Sequence, residues 1–572
     1  MNDSDEQSFP AANVRAVQSL AGALVTTLGP VPRDKLIVGG DDGEDVGHLP
    51  GVAETSDYVV TSDGTTVLDH LDLDHPIAPV VRRISGPERP GETDVEGEDI
   101  PDGVTSTIVL MAALLDEALD LVDRGVHPTT IAAGYRTALE TAVETLEDLS
   151  VPVDGRKRRV DVARTAMTGN DVGGRTEQWA EFAVDAVDAV GAPGPKTFAV
   201  RSFRRGSFAD SRLVRGAVLD RNRIVDDAMP RRVRDATVLV LDGQDEGGLR
   251  GLELDANYTV AASTPETLRE FHDTDADRRK RIVEKLVALD VDVVVARQGI
   301  ETSYARALAE HGIVGIDGVT RLYLGQVARA TGATPIKRTE DFDADALGHA
   351  GSVAEARGDV QPDGSERRFV IVDDCRDPDA VCALLYGVWG PLAENAATDL
   401  RKAADAVAAS LGTHGRRAGA VPGAVATESR VAAAVRERAD ALADREQLVV
   451  RAFADAVDTV AFSLAKNGGL DPLTAGANLR AANDADASPR GISLPDGAIV
   501  DATASGILDA LETRHRCYVA AVEVASLLVG IDDAIPADPP EPAPDPDDAI
   551  YEDAAEQQQS YLSEHDDTRW DE

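Results

Sequence analysis

Cysteine is nearly absent. Cys375, Cys382 and Cys517 are the only three in 572 residues. None stands in a CxxC pair, so the sequence carries neither a disulfide framework nor a zinc-ligand spacing. Positive charge is also short. Lys and Arg total 57 against 102 Asp and Glu, a formal net charge of −45. Binding a nucleic-acid backbone requires a basic face, so no nucleic-acid partner is expected. Aromatics make up only 4%. No apolar run approaches the roughly 20 residues that span a bilayer, so no membrane partner is expected either. The first residues, Met1-Asn-Asp-Ser-Asp-Glu-Gln7, are acidic and polar, unlike a secretory leader, and a cytoplasmic location is expected. Neither a GxxxxGK[ST] loop nor an HExxH helix occurs.

What is present argues for folded structure. Hydrophobic residues reach 43% and recur with helical and strand periods, which separates the chain from an extremely charged disordered one. An excess of carboxylates on a folded surface fits a protein from a high-salt cytoplasm, where charge is screened. The length predicts two to four domains. Helical patterns cover 12–28, 104–124 and 128–149. Short β patterns fall at Lys35–Val38 and Tyr58–Thr61. Strand-like runs at 217–219, 237–241, 291–295, 312–316 and 369–372 alternate with helical stretches near 266–288, 302–311 and 319–330. That texture predicts an α/β domain set inside a helical one. Residues 391–481 and 502–530 read as helical again. Beyond Ile535, a Pro- and Asp-rich run and an acidic end over 536–572 predict a disordered tail.

Two stretches echo each other: Ser62-Asp-Gly-Thr-Thr66 and Pro101-Asp-Gly-Val-Thr-Ser-Thr107. Each places an Asp-Gly pair and small hydroxyls at the mouth of a helical pattern. The first turn of a helix has unpartnered N–H groups and a dipole that favours negative charge. Gly103 permits close approach to the backbone, and Thr105, Ser106 and Thr107 can donate to phosphate oxygens. Asp102 would repel a bare phosphate and suits the place only with a cation between them. The alternative reading is an Asp-Gly turn followed by a Thr or Ser N-cap. Gly169-Asn-Asp-Val-Gly-Gly174 is a weak glycine signal with no buried strand before it.

Landmarks along the chain resemble those of the group II chaperonins, the thermosome and its eukaryotic cytosolic relatives. Thr27-Leu-Gly-Pro-Val-Pro-Arg-Asp-Lys35 resembles their TLGPKGMDK, and Thr61-Ser-Asp-Gly-Thr-Thr-Val-Leu68 their TNDGATIL. Pro101-Asp-Gly-Val-Thr-Ser-Thr-Ile-Val109 is similar to GDGTTTAVV, and Val126-His-Pro-Thr-Thr-Ile-Ala-Ala-Gly-Tyr135 to IHPTIIARGY. Ala465-Lys-Asn-Gly-Gly-Leu-Asp-Pro472 resembles AENAGLDPI, and Leu528-Val-Gly-Ile-Asp-Asp-Ala-Ile535 resembles LRIDDVI. These motifs stay in order from about residue 12 to 535.

The resemblance implies a multidomain α and α/β chaperonin fold. The implied equatorial ATP-binding domain takes residues 1–149 and 408–535, and the intermediate domain 150–207 and 372–407. The apical substrate-binding domain takes 208–371, with a helical lid near 264–288. The implied activity is ATP hydrolysis coupled to the folding of enclosed unfolded proteins, in a homo- or hetero-oligomeric double ring of eight or nine subunits per ring. ATP and Mg²⁺ are the implied cofactors. Asp102 would hold the metal. Asp63 would stand near the terminal phosphate and the attacking water. Asp405 in Leu400-Arg-Lys-Ala-Ala-Asp-Ala-Val407 would activate the water, with Asp399 as the weaker candidate. Gly29, Pro30, Gly64, Gly103, Thr105, Ser106, Asn170, Gly423, Ala424 and Asp509 would surround the nucleotide. The chain departs from the family pattern at several of these places. Pro101 and Val104 replace Gly and Thr, Ala424 and Val425 replace two glycines of VPGGGA, and Asn170 replaces a Lys. These departures raise a second possibility, a ring subunit without useful ATPase activity that serves a structural or substrate-selecting role. A third possibility is a free-standing acidic binding protein that uses only the apical part.

Overall fold

The computed structural model describes residues 9–38, 58–70, 77, 80, 81, 84, 102–169, 176–243, 249, 265–338, 342–360, 366–485 and 487–531. The proposed tail at 536–572 and the Asn170 position lie outside them. The chain opens with helix α1 (Phe9–Leu24), a strand pair β1 (Lys35–Val38) and β2 (Tyr58–Thr61), and helix α2 (Gly64–His70). Two long helices follow, α3 (Val104–Asp123) and α4 (Pro128–Leu149). The N-terminal half of α3 is buried almost all round, from Ile108 to Leu115. Such a helix belongs to the centre of a bundle. On α4, the deeply buried Tyr135 donates its hydroxyl to Leu114 O at 2.6 Å and packs edge-on against Phe453, ring centroids 5.9 Å apart.

The middle of the chain begins with α5 (Gly155–Ala166) and α6 (Thr176–Val190). Strands β3 (Phe198–Phe203), β4 (Arg212–Val214), β5 (Ala217–Leu219) and β6 (Arg232–Leu241) come next. Helices α7 (Pro265–Ala288), α8 (Thr302–Glu310) and α9 (Arg321–Thr331) alternate with β7 (Val293–Ala296) and β8 (Val314–Ile316). Strands β9 (Gly348–Val360), β10 (Glu366–Asp373) and β11 (Val381–Tyr386) close this section. A six-stranded mixed sheet has the order β5-β10-β9-β6-β7-β8. Its parallel part, β6-β7-β8, is covered by the intervening helices and buries Val293–Ala296 completely. Helix α7 is anchored there by Ile282, Val283 and Leu286, so the last turns of the segment expected as a lid belong to this core. A second sheet, β3-β11-β4, pairs β3 with β11 in parallel and packs against α5, α6 and the next helix, α10 (Pro391–Ser410).

The chain then returns to the helical body with β12 (Ala420–Pro422), α11 (Ala426–Asp440), α12 (Asp444–Asn467) and α13 (Pro472–Ala485). A hairpin of β13 (Arg490–Ile492) and β14 (Ile499–Asp501), strand β15 (Leu508–Ala510) and helix α14 (Leu511–Val529) complete it. Strand β12 pairs antiparallel with β15. The fold is a multidomain α and α/β fold, and the helix–α/β–helix order is as expected from sequence.

Several element boundaries differ from the sequence reading. Helix α1 stops at Leu24 and passes into a single 3-10 turn, after which Leu28 is already extended at ψ 130 and Gly29 is left-handed at φ +89. The helix expected over 502–530 starts only at Leu511, after strand β15 has paired with β12. The run 391–481 is broken by β12 and three further helix starts. Strand β9 was not legible, since Gly348-His-Ala-Gly-Ser-Val-Ala-Glu-Ala has no β-branched run. It is held by partners on both sides, so tertiary pairing overrides local propensity.

Truncating the fully buried Phe453 to Ala should destabilise the helical body by about 3–5 kcal/mol, the usual cost of deleting a buried aromatic. Tyr135→Phe removes only the hydroxyl and should cost about 1 kcal/mol. Denaturant titration followed by far-ultraviolet circular dichroism in molar KCl measures both, and equal losses would contradict the packing described.

Candidate nucleotide site

The two Asp-Gly loops meet. A Cβ on Gly64 would lie 2.1 Å from Thr105 Oγ1, so the start of α2 touches the start of α3 directly. Thr105 Oγ1 also lies 3.2 Å from Thr27 Oγ1, which ties both loops to the segment after α1. Helix α3 has no side-chain cap. Its N-cap is Gly103, left-handed at φ +87, so the Thr or Ser capping alternative is not realised. The first-turn N–H groups are therefore left for another acceptor. Asp102 Oδ1 accepts from the Gly103 N–H at 2.8 Å, its only direct hydrogen bond among the described residues. Ser106 is half-buried on the same first turn. Val104 is buried in the core, so the hydroxyl of the family pattern is exchanged for packing.

A third loop packs against these. Gly29 has the left-handed backbone and sits so close to α12 that a Cβ would meet Leu464 Cδ1 at 2.2 Å. Asn467 holds the loop by donating from Nδ2 to Val25 O at 2.7 Å and Leu28 O at 2.9 Å. Pro30 is exposed beside it. Gly169 lies against the same loop, 2.9 Å from Gly29 O to the position a Cβ would take.

The fourth wall is Gly423, Ala424 and Asp509. Gly423 N–H donates to Ile507 O at 2.8 Å, and a Cβ on Gly423 would stand 3.0 Å from Asp509 Oδ2. Ala424 and Val425 keep left-handed backbone, φ +54 and +58, although neither is glycine. Val425 is buried beside Leu464 and Ile492. Its side chain thus joins the core that supports the Gly29 loop. The Asp509 carboxylate accepts from Arg514 Nε at 3.1 Å and Nη2 at 2.8 Å. The other face of Arg514 pairs with Glu428 at 3.1 Å. Cys517, one turn further along α14, lies under Gly103, its thiol 3.5 Å from Gly103 O. Burial pushes that thiol up to about 11, so it is protonated and inert.

The carboxylates are held by a lysine. Lys402 on α10 reaches Asp63 Oδ1 in a direct ion pair, and both side chains are largely buried. Asp63 Oδ2 accepts from Thr66 N at 2.9 Å and Thr66 Oγ1 at 2.8 Å. Burial alone would raise the Asp63 pKa. Lys402 and the Thr66 bonds outweigh it and hold the carboxyl below its ordinary value. Burial dominates at Asp102 and raises its pKa, with Lys402 acting against it and Asp509 adding to it. Lys402 itself stays protonated, because Asp63 and Asp102 outweigh its desolvation. Asp399, one turn before Lys402, is buried and adds to the negative field around that ammonium.

The structure thus brings together Gly29, Asp63, Gly64, Asp102, Gly103, Thr105, Gly423, Ala424 and Asp509. It does not bring Asp405 into that group. Asp405 is paired with Arg416 at 2.8 Å. Asp399 occupies the side of α10 near Lys402. Sequence reasoning missed Lys402, Arg514 and Glu428. The signal for Lys402 was its spacing, a lysine midway between Asp399 and Asp405 in an alanine-rich helix of an arginine-dominated chain.

The residues fit a magnesium–phosphate ligand. Two buried hydroxyls next to the loops, Thr26 Oγ1 and Thr65 Oγ1, have no partner among the described residues. Among the described residues no group of three His, Cys, Asp or Glu side chains forms a ready-made metal site. A single carboxylate, Asp102, suits an ion such as Mg²⁺ that takes its remaining ligands from phosphate and water. Replacing Ala424 by Gly should remove left-handed strain worth about 1–2 kcal/mol and raise the melting temperature. In Val425→Gly the same relief is offset by the lost buried side chain. Scanning calorimetry of both variants checks this, and a lower melting temperature for Ala424→Gly would contradict it.

The TCP-1/cpn60 chaperonin family matches residues 20–539. Thermosome subunit 1 of Haloferax volcanii is 34% identical over 536 residues, covering 93% of this chain and 89% of that protein. A thermosome subunit of Methanopyrus kandleri is 32% identical over 92% of this chain and 91% of its own length. Thermosome subunit alpha of Halobacterium salinarum is 30% identical over 93% of this chain and 89% of its own. With the fold and the ordered motifs, these matches establish that the chain belongs to the TCP-1/cpn60 chaperonin family, among the group II chaperonins typified by thermosome subunits.

Proposed function

We propose that the chain is a chaperonin subunit that hydrolyses Mg-ATP and uses the conformational change to enclose and fold unfolded proteins in a double ring of eight or nine subunits per ring. The observation that carries this reading is the convergence of three loops and an uncapped helix start on the buried Asp63 and the half-buried Asp102. In this reading 1–149 with 408–535 form the equatorial domain, 150–207 with 372–407 the intermediate domain, and 208–371 the apical domain with its lid near 264–288.

The α3 N-terminus, Gly29 and the hydroxyls of Thr105 and Ser106 bind phosphate, and Asp509 with Gly423 and Ala424 borders the ribose side. Asp102 holds the magnesium ion, which supplies charge neutralisation on the phosphates when bound. Asp63 orients the attacking water once its own partners release it. The third carboxylate comes from α10. Asp405 is the residue placed there by resemblance, and movement of α10 away from the Arg416 pair would free it. Asp399 already faces the cluster. Hinge motion of α10 then couples hydrolysis to closure.

One observation favours the second reading, a subunit with weak or no ATPase. Both oxygens of Asp63 are occupied by protein donors, and Asp405 is paired with Arg416. The two readings separate on one sample. Size determination with and without Mg-ATP in molar KCl should give a megadalton ring, and phosphate release should be measurable on it. A 60.3 kDa particle at all concentrations, alone and with proteins that co-purify from the native cytoplasm, would sink the ring. A ring without phosphate release would select the second reading.

Assembly should depend on salt. Subunits carrying a formal −45 each repel one another, and the screening length falls from about 10 Å at 0.1 M to about 3 Å at 1 M salt. Dialysis to low salt without Mg²⁺ should dissociate the ring, and rings that survive would contradict this. Asp102→Ala should abolish Mg-ATP-dependent closure. Asp405→Ala should keep nucleotide binding and lower turnover, typically about 10²–10⁴-fold for a lost base. Protease protection of the lid and phosphate release read the two effects.

A further inference from the structure

The candidate site already contains a cation of its own, and it comes from a different part of the chain than the loops it serves. Asp63 and Asp102 lie on the loops before α2 and α3. Lys402 lies 339 residues after Asp63, on α10, which packs with α5, α6 and the β3-β11-β4 sheet. Its side chain is only 17% exposed and that of Asp63 only 6%. A lysine is rarely buried this far without a carboxylate partner. Here Asp63 pairs with it directly, and Asp102 and Asp399 contribute to the same field.

The arrangement competes with the role assigned to Asp63. One of its oxygens accepts from Lys402 and the other from Thr66 N and Oγ1, so the second oxygen is filled and the ammonium stands on the first, the one with a lone pair left for a water. Releasing Asp63 requires another anion to take the ammonium. A nucleotide triphosphate at the α3 N-terminus carries more charge than one carboxylate, in a site from which water is largely excluded. The attraction of a cation grows with that charge and with the low local dielectric. An ammonium on a four-carbon stem can make the move. It is a compact charge with three donors and can re-aim without a fixed fork geometry.

We propose that Lys402 is the terminal-phosphate-binding cation of this site: it neutralises the Asp63–Asp102 cluster while nucleotide is absent and moves to the outermost phosphate of bound ATP, freeing Asp63. The inference rests on the reading of this site as a nucleotide site. It also makes the state of the site visible to α10, because an ion pair between α10 and the Asp63 loop breaks when the triphosphate arrives and re-forms when the diphosphate is left.

The test is calorimetric titration of the full chain in molar KCl with Mg-ATP and, separately, Mg-ADP. Lys402→Met should weaken Mg-ATP roughly 10- to 100-fold, the size of a hydrogen bond to a charged group. Mg-ADP should change by no more than about twofold, the scatter expected of groups that do not interact. Lys402→Arg should retain most of the ATP affinity. Asp63→Asn should tighten Mg-ATP, because the lysine no longer has a competing carboxylate, and that gain should vanish in the Asp63→Asn/Lys402→Met pair. The paired variant removes both members of the Lys402–Asp63 ion pair and leaves neither without the other, so it keeps the test available if Lys402→Met alone fails to fold. Equal losses for the two nucleotides, or none, would mean that Lys402 only neutralises Asp63, and the proposal falls. A wild-type chain that binds neither nucleotide overturns the nucleotide reading and the present inference together. One that binds both, with Lys402→Met unchanged, overturns this inference alone.

Discussion

One ammonium, that of Lys402, acts on both Asp63 and Asp102, and the start of α3 is built around it. The Asp63 and Asp102 loops touch through Gly64 and Thr105. A buried carboxylate left without a partner costs several kcal/mol or gives up its charge. In this chain Lys402 meets the need at Asp63, while burial raises the pKa of Asp102. The uncapped helix start and the orphaned hydroxyls of Thr26 and Thr65 fit the same picture, a pocket whose polar groups are completed by something other than protein. The neighbouring wall solves a similar problem internally, with Arg514 held between Asp509 and Glu428.

The chain's charge sets which of these interactions matter. With a formal net charge of −45, the surface is suited to a medium that screens charge strongly. Exposed pairs such as Arg451–Asp440 and Arg156–Asp185 are then worth little, since surface ion pairs contribute about 0–1 kcal/mol before screening. The buried pairs at the site lie beyond the reach of the salt. Stability comes instead from the apolar cores. One is the helical body around Tyr135 and Phe453, one the six-stranded sheet, and one the layer of α5, α6 and α10 on β3-β11-β4.

Much of this was legible in the sequence because it is written in local signals. Long helices such as α3 and α4 announce themselves by period, and the change to alternating strands and helices after about residue 197 marks the α/β part. The Asp-Gly echo was visible in the sequence, and its two copies do touch. What was not legible depends on distant partners. Strand β9 is made of small residues and exists because β6 and β10 flank it. Strand β15 was read as helix because its partner among the described residues, β12, lies far back in the chain. Lys402 looked like an ordinary solvated residue of an alanine-rich helix, since nothing near it in sequence reveals Asp63. Asp405 fits a motif by position, whereas its side chain is committed to Arg416, a pairing that only the turn after α10 creates.

Asp102, the α3 N-terminus and the Gly29 loop are proposed to form a magnesium-nucleotide site together. A density map of the assembled chain in molar KCl with Mg²⁺ and a non-hydrolysable ATP analogue tests it most directly. The expected result is phosphate density between Gly103, Thr105 and Gly29, with the metal on Asp102. Nucleotide bound elsewhere, or a pocket still closed by the Lys402–Asp63 pair at saturating analogue, would contradict the account.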